Sequence, residues 1–144
     1  YATGVSGAHF KAVWDSVAEW PVAFFIMDQK GWIMKFEGPV PALLGNKRND
    51  AFTDVKAPGA NGLISHIRPD LVTSIHAVAL PGGVGRDGKT REGMTRAVIF
   101  YDASQESVFG LYASLAGEDL NKAAIPAFEK TMALMRTLPQ VCGR

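Results

Sequence analysis

The chain is poor in cysteine, in long apolar runs and in excess charge of either sign. One cysteine, Cys142, in 144 residues excludes an intramolecular disulfide and any metal site built from several cysteines. The longest apolar run, residues 20–27, is too short to cross a bilayer as a helix. Fifteen basic residues against 14 acidic ones leave no electrostatic footprint for nucleic acid. We therefore expect no nucleic-acid partner and no integral membrane segment in this chain.

The length and the uniform composition of the chain indicate how many domains it forms. With 144 residues, 47% of them hydrophobic, the chain can bury a sizeable core, and it shows no repeat, linker or low-complexity segment. We predict a single α+β domain over residues 1–144. Because the chain starts at Tyr1 and uses little cysteine, we expect a processed, periplasmic or secreted protein, with a cytoplasmic location as the alternative.

Apolar residues at helical spacing predict a helix at each end. The first follows Ser6, a predicted N-cap, and the last spans residues 124–138. Between them, residues 69–80 are predicted to form a helix that begins with a proline, and residues 42–45 and 63–67 to form short helical segments.

Two hairpins complete the predicted fold. A largely apolar run at 22–28 and a second predicted strand at 32–37 flank a polar turn that ends in glycine, and the β-rich residues 94–101 and 108–115 flank a second turn. The fold class is therefore α+β, with a single antiparallel sheet of four to five strands flanked by the N-terminal and C-terminal helices.

One segment matches a nucleotide-binding pattern. Residues 83–90, Gly-Val-Gly-Arg-Asp-Gly-Lys-Thr, fit G-x-x-x-x-G-K-[ST], and Asp102 follows the next strand. A phosphate loop must open a helix, but only residues 91–96 precede that strand, too few for a helix and a crossover. The segment is therefore predicted to be a slightly basic loop. Whether it gates a pocket or contacts an anion stays open.

The usual catalytic and metal-binding patterns do not occur. His9, His66 and His76 lack metal-ligand spacing and are expected to be surface or core imidazoles, and there is no G-x-S-x-G motif. Asp28 follows a strand, as some catalytic carboxylates do, but it also precedes a turn, where aspartate is common. We predict a protein that is not an enzyme, with no metal site and no cofactor.

A family resemblance adds to these inferences. The run Ala-Phe-Phe-Ile-Met-Asp-Gln-Lys-Gly-Trp-Ile at 23–33, followed by Ala-Leu-Leu-Gly at 42–45, resembles the opening of PAS-like sensory domains, especially the extracytoplasmic single Cache type. Profilin-like domains share a similar order of elements. The resemblance implies a pocket for a small organic ligand between the sheet and the short helices that follow the first hairpin.

Strand alternation then selects residues for that pocket. Tyr112 and Ser114 share one face of the last strand, and Arg96 and Phe100 are expected beside them on the adjoining strand. The planar donors of Arg96 suit a carboxylate. The structural alternatives are that Tyr112 caps the core and that Arg96 is solvated.

Three functions follow from these expectations. The first is a non-catalytic small-molecule-binding or sensory module of the PAS/Cache type. The alternative is a protein-binding module, such as an inhibitor, an immunity protein or a scaffold, that acts through loops 46–62 and 82–91. The third is an enzyme that acts on a phosphate through its glycine-rich loop. The oligomeric state is left open.

Overall fold

The computed structural model describes residues 2–45, 51–56 and 64–141. Within these residues, short 3-10 turns at Gly7–His9 and Pro69–Leu71 accompany two α-helices and nine β-strands. The helices are α1 (Phe10–Val17) and α2 (Ile125–Thr137); the strands are β1 (Ala2–Ser6), β2 (Ala23–Gln29), β3 (Trp32–Gly38), β4 (Leu43–Gly45), β5 (Thr53–Lys56), β6 (Ile64–Ile67), β7 (Ser74–Pro81), β8 (Met94–Tyr101) and β9 (Ser107–Ser114).

Six of the strands form one antiparallel sheet in the order β1-β7-β8-β9-β2-β3. The strands β4, β5 and β6 form a separate three-stranded antiparallel sheet. The predicted α+β class with a large antiparallel sheet and terminal helices is confirmed. The predicted single sheet of four to five strands is wrong, because the large sheet has six strands and three further strands form a second sheet.

Both helices pack against one face of the large sheet, which we call the helix-packed face. Phe10 and Trp14 of α1 stack on each other with centroids 5.5 Å apart, and Phe100 and Phe109 of the sheet stack at 4.5 Å beneath them. Such aromatic contacts add stability beyond the area they bury. The indole Nε1 of Trp14 donates to the carbonyl of Pro41 at 2.9 Å, so its buried polar atom is satisfied.

The opposite side of the sheet, which we call the outer face, carries the alternate residues of the same strands. Directly opposite residues of antiparallel strands point to the same side. One row across the sheet therefore joins Gly4, His76, Ile99, Gly110 and Ile26, each opposite the next. Rows on either side of it bring Tyr101 and Tyr112 to the same face.

The elements with the clearest periodicity are confirmed. Both predicted hairpins are present as β2–β3 and β8–β9, and both terminal helices form. Ser6 acts as the predicted N-cap, since its Oγ accepts the backbone N–H of Ala8 at 3.2 Å.

The helix predicted over residues 69–80 is wrong. After the turn at Pro69–Leu71, the chain forms β7, in which Ile75, Ala77 and Ala79 are buried and alternate with less buried residues. The same short window fits both a helical and an alternating spacing, and pairing with β1 and β8 selects the strand. The short helical segments predicted at 42–45 and 63–67 are also wrong where the structure describes them, because β4 and β6 lie there.

Candidate functional site

The outer face carries a histidine near the middle of β7. The His76 ring lies over Gly4 of β1, because a Cβ added at Gly4 would come within 2.5 Å of His76 Cε1. The Tyr101 ring meets the imidazole edge-on, with centroids 5.4 Å apart and planes at 87°. Glycine on one side and tyrosine on the other thus set the position of the imidazole.

A second aromatic ring lies on a second glycine. A Cβ added at Gly110 would come within 2.7 Å of Tyr112 Cε2, so the phenol ring rests on the backbone of β9. Ala97, directly opposite Tyr112, has no exposed surface. Small residues therefore form a floor on which the side chains of His76 and Tyr112 lie.

Burial changes the protonation of these groups. Desolvation lowers the pKa of His76 below its usual 6.5, which favours the neutral imidazole at neutral pH. Desolvation, and to a lesser extent nearby Tyr101, raises the pKa of Tyr112, which keeps its phenol protonated. A neutral imidazole is the form that ligates metals, and a protonated phenol can donate a hydrogen bond.

Most other side chains around these three are apolar. Val78 and Ile99 flank the histidine and Phe24 and Ile26 continue the surface across β2, all partly buried. An apolar surface with few polar groups is typical of small-molecule sites. The arrangement suits a flat, largely apolar ligand that offers a metal or a hydrogen-bond acceptor to the imidazole and phenol groups.

Two clefts lie elsewhere on the molecule. One, of about 650 Å³, separates α1 from the small sheet and is lined among others by Phe10, Lys11, Leu43 and Thr53. Its three charged lining residues are all paired, Lys11 with Asp15 at 2.6 Å and Asp70 with Arg68. The other, of about 390 Å³, lies beside the glycine-rich segment at residues 82–85.

The structure separates the four residues that the sequence assigned to one pocket. Arg96 and Ser114 are brought together, with Nη1 of Arg96 donating to Ser114 Oγ at 3.2 Å. Phe100 is fully buried in the aromatic core of the helix-packed face. Tyr112 lies on the outer face, which puts it on the other side of the sheet from Phe100.

A β-bulge explains the separation. The pairing of β8 with β9 shifts between Arg96 and Ala97, so Arg96 lies opposite Ser114 while Ala97 lies opposite Tyr112. The expectation that Tyr112 and Ser114 share one face is therefore wrong, since the extra residue reverses the alternation. Arg96 Nε lies 3.8 Å from Glu129 of α2, and Ser114 Oγ donates to the carbonyl of Met94 at 2.6 Å. Direct ligand contacts by these residues stay a prediction.

Sequence reasoning treated His76 as an ordinary imidazole and did not consider Tyr101. In the structure, the alternation of buried residues in β7 places His76 on the face opposite Ile75 and Ala77, whereas the sequence spacing of this segment fits a helix equally well. The helix predicted for that segment obscured this placement. Tyr101 joins His76 only through the pairing of β7 with β8.

Of the two predicted interaction loops, loop 82–91 is described in full and loop 46–62 only in part. Of loop 46–62, residues 46–50 and 57–62 lie outside the described residues. Loop 82–91 is a narrow two-stranded ribbon, which leads through residue 93 into β8 at Met94 without the helix that a phosphate loop needs.

Among the described residues, no group of three or more His, Cys, Asp or Glu could hold a metal ion. No helix in the described part of the chain is long and apolar enough to cross a membrane.

A family model described as haem utilisation ChuX/HutX matches residues 3–135. The chain belongs to the ChuX/HutX haem-utilisation family. A search of curated proteins found no match. The PAS/Cache resemblance is therefore wrong, because the ChuX/HutX model covers nearly the whole chain and the similar solved structures include the haem-binding proteins ChuX and PhuS.

Solved structures share this fold at low sequence identity. The haem-binding protein ChuX is 19% identical with a TM-score of 0.71, over 94% of this chain and 78% of that one. Holo-PhuS, a haem-binding protein from Pseudomonas aeruginosa, is 17% identical with a TM-score of 0.63, over 90% of this chain and 34% of that one. ChuS, a haem oxygenase of E. coli, is 14% identical with a TM-score of 0.61, over 93% and 36%.

Membership in ChuX/HutX bears on the functional expectations. A haem-utilisation family fits the expected small organic ligand. Neither the family nor the neighbouring structures support a sensory role. The periplasmic or secreted location and the absence of catalysis stay predictions.

Proposed function

We propose that this protein binds haem on the outer face of the six-stranded sheet, with His76 as the iron ligand. The observation that carries the proposal is a partly buried imidazole, its pKa lowered by burial, on an apolar face. The family membership supplies the ligand class.

The residues of the outer face fit the chemistry of haem. Haem iron takes an axial donor from the protein, and histidine is the commonest proximal ligand. His76 offers a neutral imidazole held by Gly4 and Tyr101, and the apolar side chains around it suit the macrocycle. Bound haem would supply an iron centre to this face.

We extend the proposal to binding without turnover. The side chains that neighbour His76 on the outer face, among them Ser74, Val78, Ile99 and Tyr101, are aliphatic, hydroxylic or phenolic. They bury and orient a ligand but offer no carboxylate or amine for proton transfer. Under oxygen and a reductant, we expect the absorbance of bound haem to persist, and its rapid loss to a degradation product would contradict this part of the proposal.

Histidine substitutions test the proposed ligand. We expect haem titration of the full chain, followed by the Soret band, to show saturable binding that His76→Ala weakens at least tenfold, because the iron loses its axial donor. His9→Ala and His66→Ala are matched controls, since His9 lies in the turn before α1 and His66 pairs with Asp54 on the small sheet.

The titration distinguishes an error in the proposed ligand residue from an error in the proposed function. Equal affinity of His76→Ala and the unsubstituted chain would place the ligand elsewhere, and no saturable binding by the unsubstituted chain would overturn the function itself. Circular dichroism of each variant confirms that lost affinity reflects the site rather than unfolding.

A further inference from the structure

The segment that follows α2 returns to the large sheet and pairs with β1. Gln140 forms an antiparallel bridge with Val5, and the backbone N–H of Val141 donates to the carbonyl of Gly4 at 2.8 Å. The strand β1 is therefore paired on both sides, with β7 on one side and with this segment on the other.

The side chain of Gln140 holds this segment in place. Its Nε2 donates to the carbonyls of Met135 and Leu138 at 2.8 Å each, and its Oε1 accepts from the hydroxyl of the buried Thr3. The amide thus joins the end of α2 to β1 and uses both of its polar atoms. Because Gln140 is held in this way, the alternation of an extended chain directs the next side chain, that of Val141, to the opposite face.

Val141 lies on the outer face, in the same row as His76. The pairing places Val141 opposite Gly4, and Gly4 opposite His76. A Cβ added at Gly4 would lie 3.2 Å from Cγ2 of Val141 and 2.5 Å from Cε1 of His76. The valine and the imidazole thus face each other across the space that the glycine leaves open.

The strand β1 itself turns small residues to the outer face, namely Ala2, Gly4 and Ser6. Small side chains leave the β1 side of the His76 ring uncovered, and Val141 is the branched side chain that reaches this gap. The χ1 rotation of a β-branched residue is restricted, so Val141 presents its methyl groups in a defined position. On the β8 side, the imidazole meets the ring of Tyr101 edge-on, with centroids 5.4 Å apart.

We infer that Val141 is a positioning residue, which confines the imidazole of His76 between itself and Tyr101. The consequence for binding rests on the proposed function. A metal ligand that its neighbours hold from both sides keeps one orientation, so the same imidazole nitrogen faces the iron in every molecule. Val141 also extends the apolar surface around His76 toward the edge of the sheet.

Nuclear magnetic resonance of the unloaded chain tests the confinement without haem. We expect a nuclear Overhauser contact between a methyl group of Val141 and the imidazole of His76. We also expect unequal couplings between Hα and the two Hβ protons of His76, because a single χ1 rotamer of a strand residue gives unequal values. Val141→Ala should remove the contact and make the couplings more equal, since the ring gains a second rotamer, whereas Val141→Ile should keep them unequal.

Haem titration measures the consequence of this confinement for binding. We expect Val141→Ala to weaken haem binding about three- to fivefold and Val141→Ile to restore it. The electron paramagnetic resonance signal of bound ferric haem should broaden in Val141→Ala, because its axial ligand is less uniformly oriented. Val84→Ala, the same change at an exposed position of loop 82–91, is the matched control and should alter none of these readouts.

The couplings decide the inference. It is overturned if Val141→Ala keeps the unequal couplings of His76, whatever its haem affinity or stability, because a merely structural valine would leave the rotamer unchanged. Absence of saturable haem binding by the unsubstituted chain would overturn the proposed function instead, and the couplings in the unloaded chain would still decide whether Val141 confines the imidazole.

Discussion

At the scale of single residues, two glycines determine what the outer face can hold. Gly4 leaves room for the imidazole of His76, and Gly110 leaves room for the ring of Tyr112. In each case the nearest atoms belong to the side chain of the ring, which could rotate away from a larger neighbour. The two glycines therefore contribute more to the placement of the rings than to the stability of the strands.

Gly4→Ala should separate these roles. The added methyl group must displace the imidazole, so we expect weaker haem binding with a change of at most about 1 kcal/mol in the free energy of unfolding. Ala2→Ser, on the same face of β1 but opposite Val78, is the control. Haem titration and urea unfolding of both variants measure the two effects, and unchanged affinity in Gly4→Ala would contradict the proposed ligand.

The lowered pKa of His76 predicts a pH dependence of stability. The unfolded chain takes up this proton near pH 6.5, while burial makes the folded chain resist it. Stability contributed by the neutral imidazole is therefore present above that pH and lost as the pH falls toward the lower folded pKa. Urea unfolding between pH 7.5 and 5 should show a smaller loss for His76→Gln than for the unsubstituted chain. Equal losses would contradict the assignment.

At the scale of elements, the sequence pattern correctly predicted the helices and hairpins whose structure is determined by neighbouring residues in the chain. Both hairpins and both terminal helices follow from turn residues and apolar spacing, and they form as expected. The strand β7 could not be recognised in this way, because its spacing also fits a helix and only its pairing with β1 and β8 decides between them. The candidate site depended on that strand, so His76 and Tyr101 could not be brought together from the sequence.

The bulge between β8 and β9 is the second such element. One extra residue turns Ser114 toward the helix-packed face, where its Oγ bonds to the Met94 carbonyl and accepts from Arg96. A bulge is a property of the pairing between two strands, so the hydrophobic alternation within one strand does not reveal it. The pocket predicted from alternation was divided between two faces for this reason.

Ser114→Ala tests whether that cluster is structural. It removes two hydrogen bonds in a buried setting, so we expect the free energy of unfolding to fall by about 1–2 kcal/mol while haem affinity is unchanged. The matched change Ser107→Ala, at the more exposed start of β9, should cost less. A loss of haem affinity without a loss of stability would instead support Ser114 as a ligand-binding residue.

At the scale of the whole molecule, the two sides of one sheet have different tasks. The helix-packed face buries the aromatic cluster around Trp14 and Phe100 and holds α1 and α2. The outer face carries the His76 imidazole and the Tyr112 phenol on a floor of small residues, with Tyr101 against the imidazole. Stability and ligand binding are thereby assigned to opposite surfaces of the same strands.

Amide nuclear magnetic resonance of the isotopically labelled chain tests this assignment most directly. Ferric haem is paramagnetic and broadens nearby signals, and a diamagnetic zinc porphyrin is the control. We predict that haem selectively broadens the amides around His76, Ile99, Tyr101 and Gly110, while those of α2 on the opposite side stay sharp. Broadening centred on the cleft between α1 and the small sheet, with the signals of β7 unchanged, would contradict the account.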